Sequence, residues 1–522
     1  MSSGVGLTSI GVRRRLAVAG VALVLMAGAC SSSSHHAAGT VSGSGNSGSN
    51  GSASAGGGAS SGAGGAPAGA GAQKGIGGAG GGAAGGSSSG TGSSSSGSSG
   101  SPSAVVATHP VQVAGRTLTV SHGVVNGHIQ IGIAWVDASQ ANVVLKGLAG
   151  GNAKVGDSKA QAQAVVDYLN AHGGIAGLTI DPVYYQFNAS NLETPSGRAQ
   201  ETQAECAYWT QDHHVFAVLV VLAPDDNLLS CAAKTQTPII SAGFGQVADD
   251  VQYGQIPNLL YWPSGVTVDQ RETLVVDRMV QSGELTPKSK VGVLIEGDSG
   301  MFKRAASRTL LPALQRNNIP VASQVVYPDF IDAPWDSYVL QFRQAGVNTV
   351  YFGASEGGGW SALFFTRAAS NQKWYPQFIM ASDLSVDGIG TLGAPDEAPY
   401  IHGTGWLPFA DTGNSSPLSA NGALCKKIMN SISQPDHDTL NMGVGYCETL
   451  FFLEAALANS TNITPAGIGA GAAGLGTGFA PVLTRGSSFT AAIHYGANVV
   501  QDFVYNASAK SMAYVGKPAT IR

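Results

Sequence analysis

The sequence predicts an α/β protein with two successive doubly wound sheets. The first observation is an alternation between short Val- and Ile-rich runs and amphipathic helical stretches, which begins at His128. Continuous apolar runs of this kind are typical of parallel strands that helices cover on both faces. The second observation is that the alternation starts again near residue 266. The third is length, because the 418 residues at 105–522 are too many for one core and suit two domains.

The first half of the alternation predicts one sheet. Its clearest strand is His128–Trp135, and the helix that follows presents one apolar face and ends at Gly173-Gly174. The predicted strands lie at 128–135, 178–186, 215–221 and 237–241, and the predicted helices lie at 158–172 and 196–212, with a short helix that carries Cys231.

The second half predicts another sheet, after a crossing near 257–265. The tail that follows is different, with two long helices, a Gly/Ala-rich stretch at 466–478 and short strands near 499–515. The predicted strands of the second sheet are 290–295, 321–327, 349–352 and 377–380; the helices are 266–282, 301–316, 335–345 and 359–370, and in the tail 417–432 and 438–457.

Residues 31–104 have a composition of low complexity. Gly, Ser and Ala occupy 62 of these 74 positions, and Lys74 is the only charged residue. Such a segment buries too little apolar surface to offset the loss of chain entropy, so it is predicted to be disordered. The N-terminal 104 residues hold four basic and no acidic residues, which leaves a net charge of −9 on 105–522. A nucleic-acid partner needs a basic face, so this balance argues against one.

The N-terminus predicts export. Arg13-Arg14-Arg15 precede the apolar run Leu16–Met26, which has the pattern of a signal peptide and is too short to span a bilayer. The sequence Ala27-Gly28-Ala29-Cys30 resembles the bacterial lipoprotein signal, in which the cysteine is diacylated and becomes the mature N-terminus. Ala27 departs from the Leu that this pattern prefers, and an ordinary cleaved signal is the alternative. We expect a protein anchored through lipids on Cys30 to the outer face of the cell membrane.

The remaining four cysteines are an even number, as expected of disulfides in an exported chain. Four cysteines allow three pairings, and the pairing that is local in sequence is Cys206–Cys231 with Cys425–Cys447. Free buried thiols are the alternative. Because no Cys or His spacing is typical of zinc, neither a metal nor a cofactor is expected.

The order of several motifs resembles one protein family. The segment Ala164–Leu178 resembles the pattern A-x-x-x-I-N-x-x-G-G-I-x-G of type I periplasmic solute-binding proteins, and the nearest branch is the leucine/isoleucine/valine-binding family. Further segments follow the family's order along the chain, namely Tyr327–Phe330, Tyr338–Phe342, Ala345–Val350 and Tyr446–Leu457.

This resemblance implies two Rossmann-like lobes joined by a multi-stranded hinge. Lobe one is expected at 105–260 plus 403–495 and lobe two at 261–402 plus 496–522, after a signal peptide at 1–29 and a linker at 30–104. The family binds small polar solutes, such as amino acids or related molecules, where the carboxyl ends of strands from both lobes face each other. The lobes close by hinge bending, and the permease of an ABC transporter receives the solute. An extracytoplasmic sensor with the same clamp is an alternative.

The resemblance also implies ligand-binding positions. In lobe two, an aromatic position of the family falls on Ser355 and an acidic one on Asp383. In lobe one, Trp135, Asp225 and Phe244 follow strands, but the hydroxyls that hold an amino acid's carboxylate are missing. Asp225 would repel a carboxylate, and a carboxylate buried without hydrogen bonds is costly, so a zwitterionic amino acid is not favoured.

Each of these residues also has a structural interpretation. Asp383 and Asp225 both precede predicted helices, where an aspartate is a common N-cap. Trp135 and Phe244 lie beside apolar strands and are equally compatible with core packing.

One motif indicates a different class of protein. Gly353–Gly357 fits G-x-S-x-G, and it lies between a strand and a helix as in a serine esterase or lipase with Ser355 as nucleophile. The acid and the base would follow along the chain, as Asp383 or Asp396 and then His402 or His494. The family resemblance explains the same loop without catalysis, so we expect no enzyme activity and keep the esterase as an alternative.

Overall fold

The computed structural model describes most of the chain beyond the N-terminal low-complexity region. The described residues are 107–140, 156–188, 191, 195–220, 225–242, 248–297, 299–328, 333–355, 358–389, 395–432 and 442–521. The predicted signal peptide, Cys30, the predicted linker and Phe244 lie outside these residues.

The strands of the described residues form three sheets. In chain order they are β1 His109–Val113, β2 Arg116–Val120, β3 Val124–Val125, β4 His128–Val136, β5 Thr179–Phe187, β6 Ala217–Val220, β7 Ile239–Ser241, β8 Leu260–Tyr261, β9 Val291–Glu296, β10 Val321–Tyr327, β11 Thr349–Phe352, β12 Gln377–Ala381, β13 Ile401–Gly405, β14 Asn462–Ile463, β15 Val499–Asn506 and β16 Ser511–Thr520.

The helices alternate with these strands as the sequence predicts. They are α1 Ser158–Ala171, α2 Pro195–Ala207, α3 Asp226–Thr235, α4 Asp250–Gln255, α5 Val268–Gln281, α6 Gly300–Ala305, α7 Leu311–Arg316, α8 Trp335–Gln344, α9 Gly359–Asn371, α10 Val386–Gly388, α11 Pro408–Thr412, α12 Ala420–Ser431, α13 Met442–Leu457 and α14 Pro465–Leu475. Across the described segments, no helix combines the length and the apolar character that a bilayer span requires.

The first sheet has the order β5–β4–β6–β7–β8, and all of these pairs are parallel. The short strand β3 pairs with the start of β4 in the antiparallel direction. Every residue of β6, β7 and β8 is buried, as expected of parallel strands covered on both faces. Helix α1 packs against α13, a helix of the tail, and both contribute to the core over this sheet.

The second sheet has the order β10–β9–β11–β12–β13–β15–β16. The first four pairs are parallel, and the last two are antiparallel. Strand β13 was not predicted, because its residues His402 to Gly405 include two glycines and no apolar residue. At Gly403 an added Cβ atom would lie 2.1 Å from the carbonyl oxygen of Met380, so the close strand pairing there requires glycine.

The chain crosses between the two sheets three times. The first crossing, at Trp262–Val266, is hydrogen-bonded to the third, at His494–Asn498: Trp262 N donates to His494 O at 2.9 Å and Ala497 N donates to Gly265 O at 3.0 Å. The second crossing follows β13, and its Trp406 N donates to the side-chain oxygen of Ser382 at 2.6 Å. The prediction of two doubly wound lobes joined by a multi-stranded hinge is confirmed.

A third, small sheet was not predicted. Strands β1 and β2 form an antiparallel hairpin, and β14 pairs with β2 in parallel. The hairpin turn consists of Ala114 and Gly115, both with positive φ angles of 49° and 80°. Most side chains of β1 and β2 are exposed, so these strands lack the continuous apolar run that marked the others.

Two disulfides join neighbouring helices of lobe one. Cys206 of α2 is bonded to Cys231 of α3, and Cys425 of α12 is bonded to Cys447 of α13. Both follow the sequence-local pairing. The second bridge fixes α12 to the helix that packs on α1.

Candidate ligand-binding site

The first turn of helix α5 meets the carboxyl ends of β11 and β12 at one edge of the second sheet. The side chain of Thr267 caps the helix by accepting a hydrogen bond from Gln270 N at 3.1 Å. This start places Arg271 against the end of β11, where its Nη1 donates to the carbonyl oxygen of Phe352 at 2.9 Å. The carboxyl ends of parallel strands are the usual ligand-binding edge of an open α/β sheet.

Arg271 is the centre of a buried ionic group, which we call the Arg271 cluster and which consists of Arg271, Glu272, Tyr351 and Asp383. The side chain of Arg271 is 0% exposed. Its Nε lies 3.1 Å from Asp383 Oδ1, and its Nη1 lies 3.0 Å from Glu272 Oε2. A guanidinium group keeps its charge in proteins, so its burial requires such acidic partners.

Glu272 has hydrogen bonds on both carboxylate oxygens. Oε2 accepts from the hydroxyl group of Tyr351 at 2.7 Å as well as from Arg271, and Oε1 accepts from Ala354 N at 2.7 Å. Glu272 therefore connects helix α5 to the loop after β11. With every bond used, its role in the Arg271 cluster is structural.

Asp383 lies in a 3-10 turn, Ser382–Leu384, directly after β12. Its side chain makes no capping hydrogen bond there, so the interpretation of Asp383 as a helix cap does not match its position. Burial raises the pKa of Asp383, and the charge and hydrogen bond of Arg271 oppose this rise. Its second oxygen, Oδ2, is buried and has no hydrogen-bond partner among the described residues.

Further polar side chains are buried beside Asp383. Gly359, at the start of α9, lies so close to the next turn that an added Cβ atom would be 2.4 Å from Leu384 O. The same position lies 3.5 Å from the Cβ atom of Ser385, so the residue before Trp360 packs against Ser385. The indole nitrogen of Trp360 and the hydroxyl oxygen of Ser385 are both buried, and neither has a hydrogen-bond partner within the described residues.

Ser355 follows β11 and is fully buried. It lies beside the hydroxyl group of Tyr327, at the end of β10. Burial and the charge of Glu296 raise the pKa of Tyr327, while interactions with Ser361 and Ser355 lower it. Ser355 and Asp383, both predicted as ligand residues, therefore lie at the same edge of the second sheet, as the ends of neighbouring strands β11 and β12.

Trp135 lies near the end of β4, at the corresponding edge of the first sheet. Its side chain is half-buried, and Lys159 Nζ lies 5.3 Å from the centre of its ring. The same ammonium group lies 5.0 Å from the ring of Tyr184, so Lys159 is placed over two aromatic rings. Trp135 thus contacts the start of α1 and also remains partly accessible.

Asp225 is the N-cap of helix α3. Its Oδ1 accepts from Leu228 N at 2.8 Å, and its Oδ2 accepts from Asn227 Nδ2 at 3.1 Å. Burial raises the pKa of Asp225, and these hydrogen bonds, with one from Thr202, oppose the rise. The structural interpretation of this residue is therefore supported by its contacts.

Polar contacts join the carboxyl edges of the two sheets. Arg304 of α6 donates from Nε to Asp249 Oδ2 at 2.9 Å, and Ser299 donates to Asp226 Oδ2 at 3.4 Å. Arg304 and Ser299 follow β9 of the second sheet, whereas Asp226 and Asp249 follow β6 and β7 of the first. The carboxyl edges of the two sheets therefore face each other across these contacts.

The two histidines of the esterase alternative are engaged elsewhere. His402 Nδ1 lies 3.1 Å from Glu284 Oε2, and the ring of His494 lies 4.9 Å from the ring of Tyr261. Within the described residues, no imidazole group is hydrogen-bonded to Ser355. A serine nucleophile requires such a base, so these contacts do not assemble a catalytic triad.

The sequence profile of a protein family described as periplasmic binding protein matches residues 143–494, which is more than half of the chain. The chain belongs to this family. The match contains the Arg271 cluster and the first two crossings of this periplasmic binding protein, whereas β4 with Trp135 precedes it. No curated protein sequence matches the chain.

Solved structures share the fold of this periplasmic binding protein at low sequence identity. A branched-chain amino acid ABC transporter protein from Thermus thermophilus with bound valine has a TM-score of 0.54 and 14% identity, covering 76% of this chain and 97% of its own. A solute-binding protein from Rhodopseudomonas palustris BisB5 in complex with 3,4-dihydroxybenzoic acid has a TM-score of 0.54, 11% identity and coverages of 76% and 98%. A fatty acid ABC transporter substrate-binding protein from Thermomonospora curvata has a TM-score of 0.53, 16% identity and coverages of 77% and 95%.

Sequence reasoning did not find Arg271 or Tyr327. Arg271 is the fourth residue of an ordinary amphipathic helix, and its partner Asp383 lies 112 positions away. A basic residue with an acidic neighbour in the first turn of a helix gives no sign of burial. The sequence did offer one indication, namely the place of helix α5 in the chain. The helix directly follows the first crossing, so it begins at the carboxyl edge of the second sheet.

Proposed function

We propose that this periplasmic binding protein captures a small polar organic ligand, amino-acid-like or related, in the cleft between its lobes and delivers it to an ABC transporter. One observation carries the proposal. At the carboxyl edge of the second sheet, three buried polar atoms have no hydrogen-bond partner in the described part of the chain: Arg271 Nη2, Asp383 Oδ2 and Trp360 Nε1. Buried polar groups are normally paired, and a bound polar solute would pair these.

The predicted ligand residues remain candidates within this proposal. Ser355 and Asp383 are supported by their position at the ends of β11 and β12, next to the Arg271 cluster. Trp135 is supported by its partial exposure at the end of β4. Asp225 has less support, because both of its oxygens already accept hydrogen bonds. Phe244 is proposed from the resemblance alone.

The direct test is to identify what the protein binds. The full chain is purified without denaturation, and native mass spectrometry measures any mass retained by the folded protein. The proposal predicts one small organic molecule per chain, whose re-addition to dialysed protein raises the melting temperature. Absence of any retained molecule, together with no thermal shift across amino acids, hydroxybenzoates and fatty acids, would count against a solute-binding role.

Measuring uptake of the retained molecule by cells distinguishes a transport role from a sensing role. If the protein delivers its ligand to an ABC permease, cells that lack the protein lose uptake of the retained molecule and regain it on complementation. If the clamp is a sensor, uptake is unchanged and the transcriptional or behavioural response to the molecule is lost.

Anchoring through Cys30 is part of the proposal and rests on the sequence. Diacylation would insert acyl chains into the membrane, with about 0.8 kcal/mol for each buried CH₂ group. Cys30→Ser should release a folded protein from the membrane fraction. Wild-type protein that is free in the medium, with no acyl mass on its N-terminal peptide, would contradict the anchor.

A further inference from the structure

Arg271 and Asp383 form only half of the ion pair that their shapes allow. A guanidinium group presents Nε and Nη2 along one edge, which matches the two oxygens of a carboxylate. Here Nε bonds Asp383 Oδ1 at 3.1 Å, while Arg271 Nη2 and Asp383 Oδ2 have no hydrogen-bond partner among the described residues. Both side chains are 0% exposed. The donor Arg271 Nη2 and the acceptor Asp383 Oδ2 therefore remain unused beside the hydrogen bond between Nε and Oδ1.

The chemistry of these two atoms restricts the group that can bind both. Nη2 carries two N–H groups and needs an acceptor, whereas Oδ2 needs a donor. An ammonium group has only donors, so it would satisfy Asp383 but oppose Arg271. A carboxylate has only acceptors, so it would satisfy Arg271 but face the oxygen of Asp383. A hydroxyl or a carboxamide group does both at once.

The charges already present in the Arg271 cluster disfavour a carboxylate on the ligand. Arg271 is paired within the protein to two carboxylates, Glu272 and Asp383. One guanidinium charge is therefore shared between two carboxylates. A further carboxylate would be the third around a single guanidinium group.

The neighbouring side chains provide contacts for a neutral organic group. Trp360 Nε1 and Ser385 Oγ are buried without a hydrogen-bond partner in the described residues, and Gly359, which precedes Trp360, packs against Leu384 and Ser385, which follow Asp383. Both atoms are therefore available to a polar group of a ligand.

We propose that the interlobe site recognises, through Arg271 and Asp383, an uncharged hydroxyl or carboxamide group of an organic ligand, and that Asp383 is not the counter-ion of an ammonium group. This inference rests on the proposed function, since it takes the edge of the second sheet as part of the solute cleft. It narrows the ligand class to molecules that carry such a group.

Four probes on one scaffold test this inference, namely benzyl alcohol, benzamide, benzylamine and benzoate. Ligand-observed NMR on the full chain at pH 7 measures the affinity of each probe. Benzyl alcohol and benzamide should bind wild-type protein about tenfold more tightly than benzylamine or benzoate. Benzylamine cannot accept a hydrogen bond from Arg271, and benzoate cannot donate one to Asp383. Asp383→Asn should weaken the two neutral probes about tenfold.

The matched control is Asp277→Asn. Asp277 lies on the same helix α5 as Arg271 and pairs with Arg316 at 2.6 Å, but this pair is exposed and Asp277 lies beyond the first turn of the helix. This variant should bind all four probes like the wild type. The melting temperature of Asp383→Asn is measured in parallel, so that loss of binding is scored only on folded protein.

Three results would overturn the inference. Tightest binding of benzylamine, lost in Asp383→Asn, would make Asp383 an ammonium counter-ion. Equal affinities in Asp383→Asn and wild type would make the Arg271–Asp383 pair purely structural. Binding of none of the probes to a protein that still retains another solute would refute this ligand class while leaving the proposed function intact.

Discussion

Arg304 of the second lobe donates a hydrogen bond from Nε to Asp249 Oδ2 of the first lobe, at 2.9 Å. Asp249 is also the N-cap of α4, where its Oδ1 accepts from Gln252 N at 2.9 Å. One carboxylate therefore fixes the start of a helix in one lobe and holds an arginine of the other. The pair is one of the polar contacts that join the carboxyl edges of the two sheets, beside the contact of Ser299 with Asp226.

Arg304→Gln should shift the clamp toward its open form, because the closed form loses an interlobe ion pair. The radius of gyration from small-angle X-ray scattering should therefore increase. Arg316→Gln is the control, since Arg316 pairs with Asp277 within lobe two and has similar exposure. An unchanged radius of gyration in Arg304→Gln would show that this pair does not hold the lobes together.

Loss of the charge of Arg271 should destabilise lobe two. Arg271→Met leaves Glu272 and Asp383 buried without their cation, which is expected to lower the free energy of unfolding by about 3–5 kcal/mol. Urea unfolding measures this difference. Adding Glu272→Gln and Asp383→Asn to Arg271→Met should recover part of the loss, because the buried charges are then removed together. If Arg271→Met alone is as stable as wild type, then water solvates Glu272 and Asp383 and the Arg271 cluster is not buried.

The two sheets were predictable from sequence because their strands are buried on both faces. Strands such as β6 and β9 are continuous apolar runs, and their helices have clear periodicity. The hairpin of β1 and β2 was missed because its exposed polar residues form no such run. Asp383 was named as a candidate ligand residue from the family resemblance. Its pairing with Arg271 was not predicted, since a contact over 112 positions leaves no local pattern.

The disulfide between α12 and α13 should stabilise lobe one. Cys425 and Cys447 are separated by 22 positions, and closing a loop of this size in the unfolded chain corresponds to about 3 kcal/mol in the chain-entropy description. The double variant Cys425→Ser, Cys447→Ser should therefore unfold at a lower urea concentration. Its affinity for the co-purified molecule should be unchanged, because both helices lie outside the Arg271 cluster. Peptide mapping without reductant that finds Cys425 joined to Cys206 would contradict the pairing.

Stability should fall as the pH rises toward 8. Burial raises the pKa of Asp411 to about 7, although hydrogen bonds from Tyr514 and Ser382 oppose the rise. Because the pKa in the folded state is above that in the unfolded chain, the folded state binds the proton more tightly. The contribution of Asp411 to the free energy of unfolding is then greatest below about pH 4 and decreases until about pH 7. Burial also raises the pKa of Glu448 to about 7, which acts in the same direction.

Thermal unfolding at pH 5.5 and pH 8 measures this dependence. Wild-type protein should melt at a lower temperature at pH 8, and Asp411→Asn should show a smaller difference between the two pH values. Asp277→Asn, whose carboxylate is partly exposed, should retain the wild-type difference. A wild-type protein that is more stable at pH 8 would mean that these carboxyl groups are not buried as described.

Isothermal titration of the co-purified molecule into dialysed full-length protein tests the central claim most directly, because the claim places one solute at the Arg271 cluster between the lobes. The account predicts one molecule bound per chain, affinity about tenfold weaker in Asp383→Asn, as for loss of a hydrogen bond to a charged group, and wild-type affinity in Asp277→Asn. Equal affinity in wild type and Asp383→Asn, in protein shown to be folded, would contradict it.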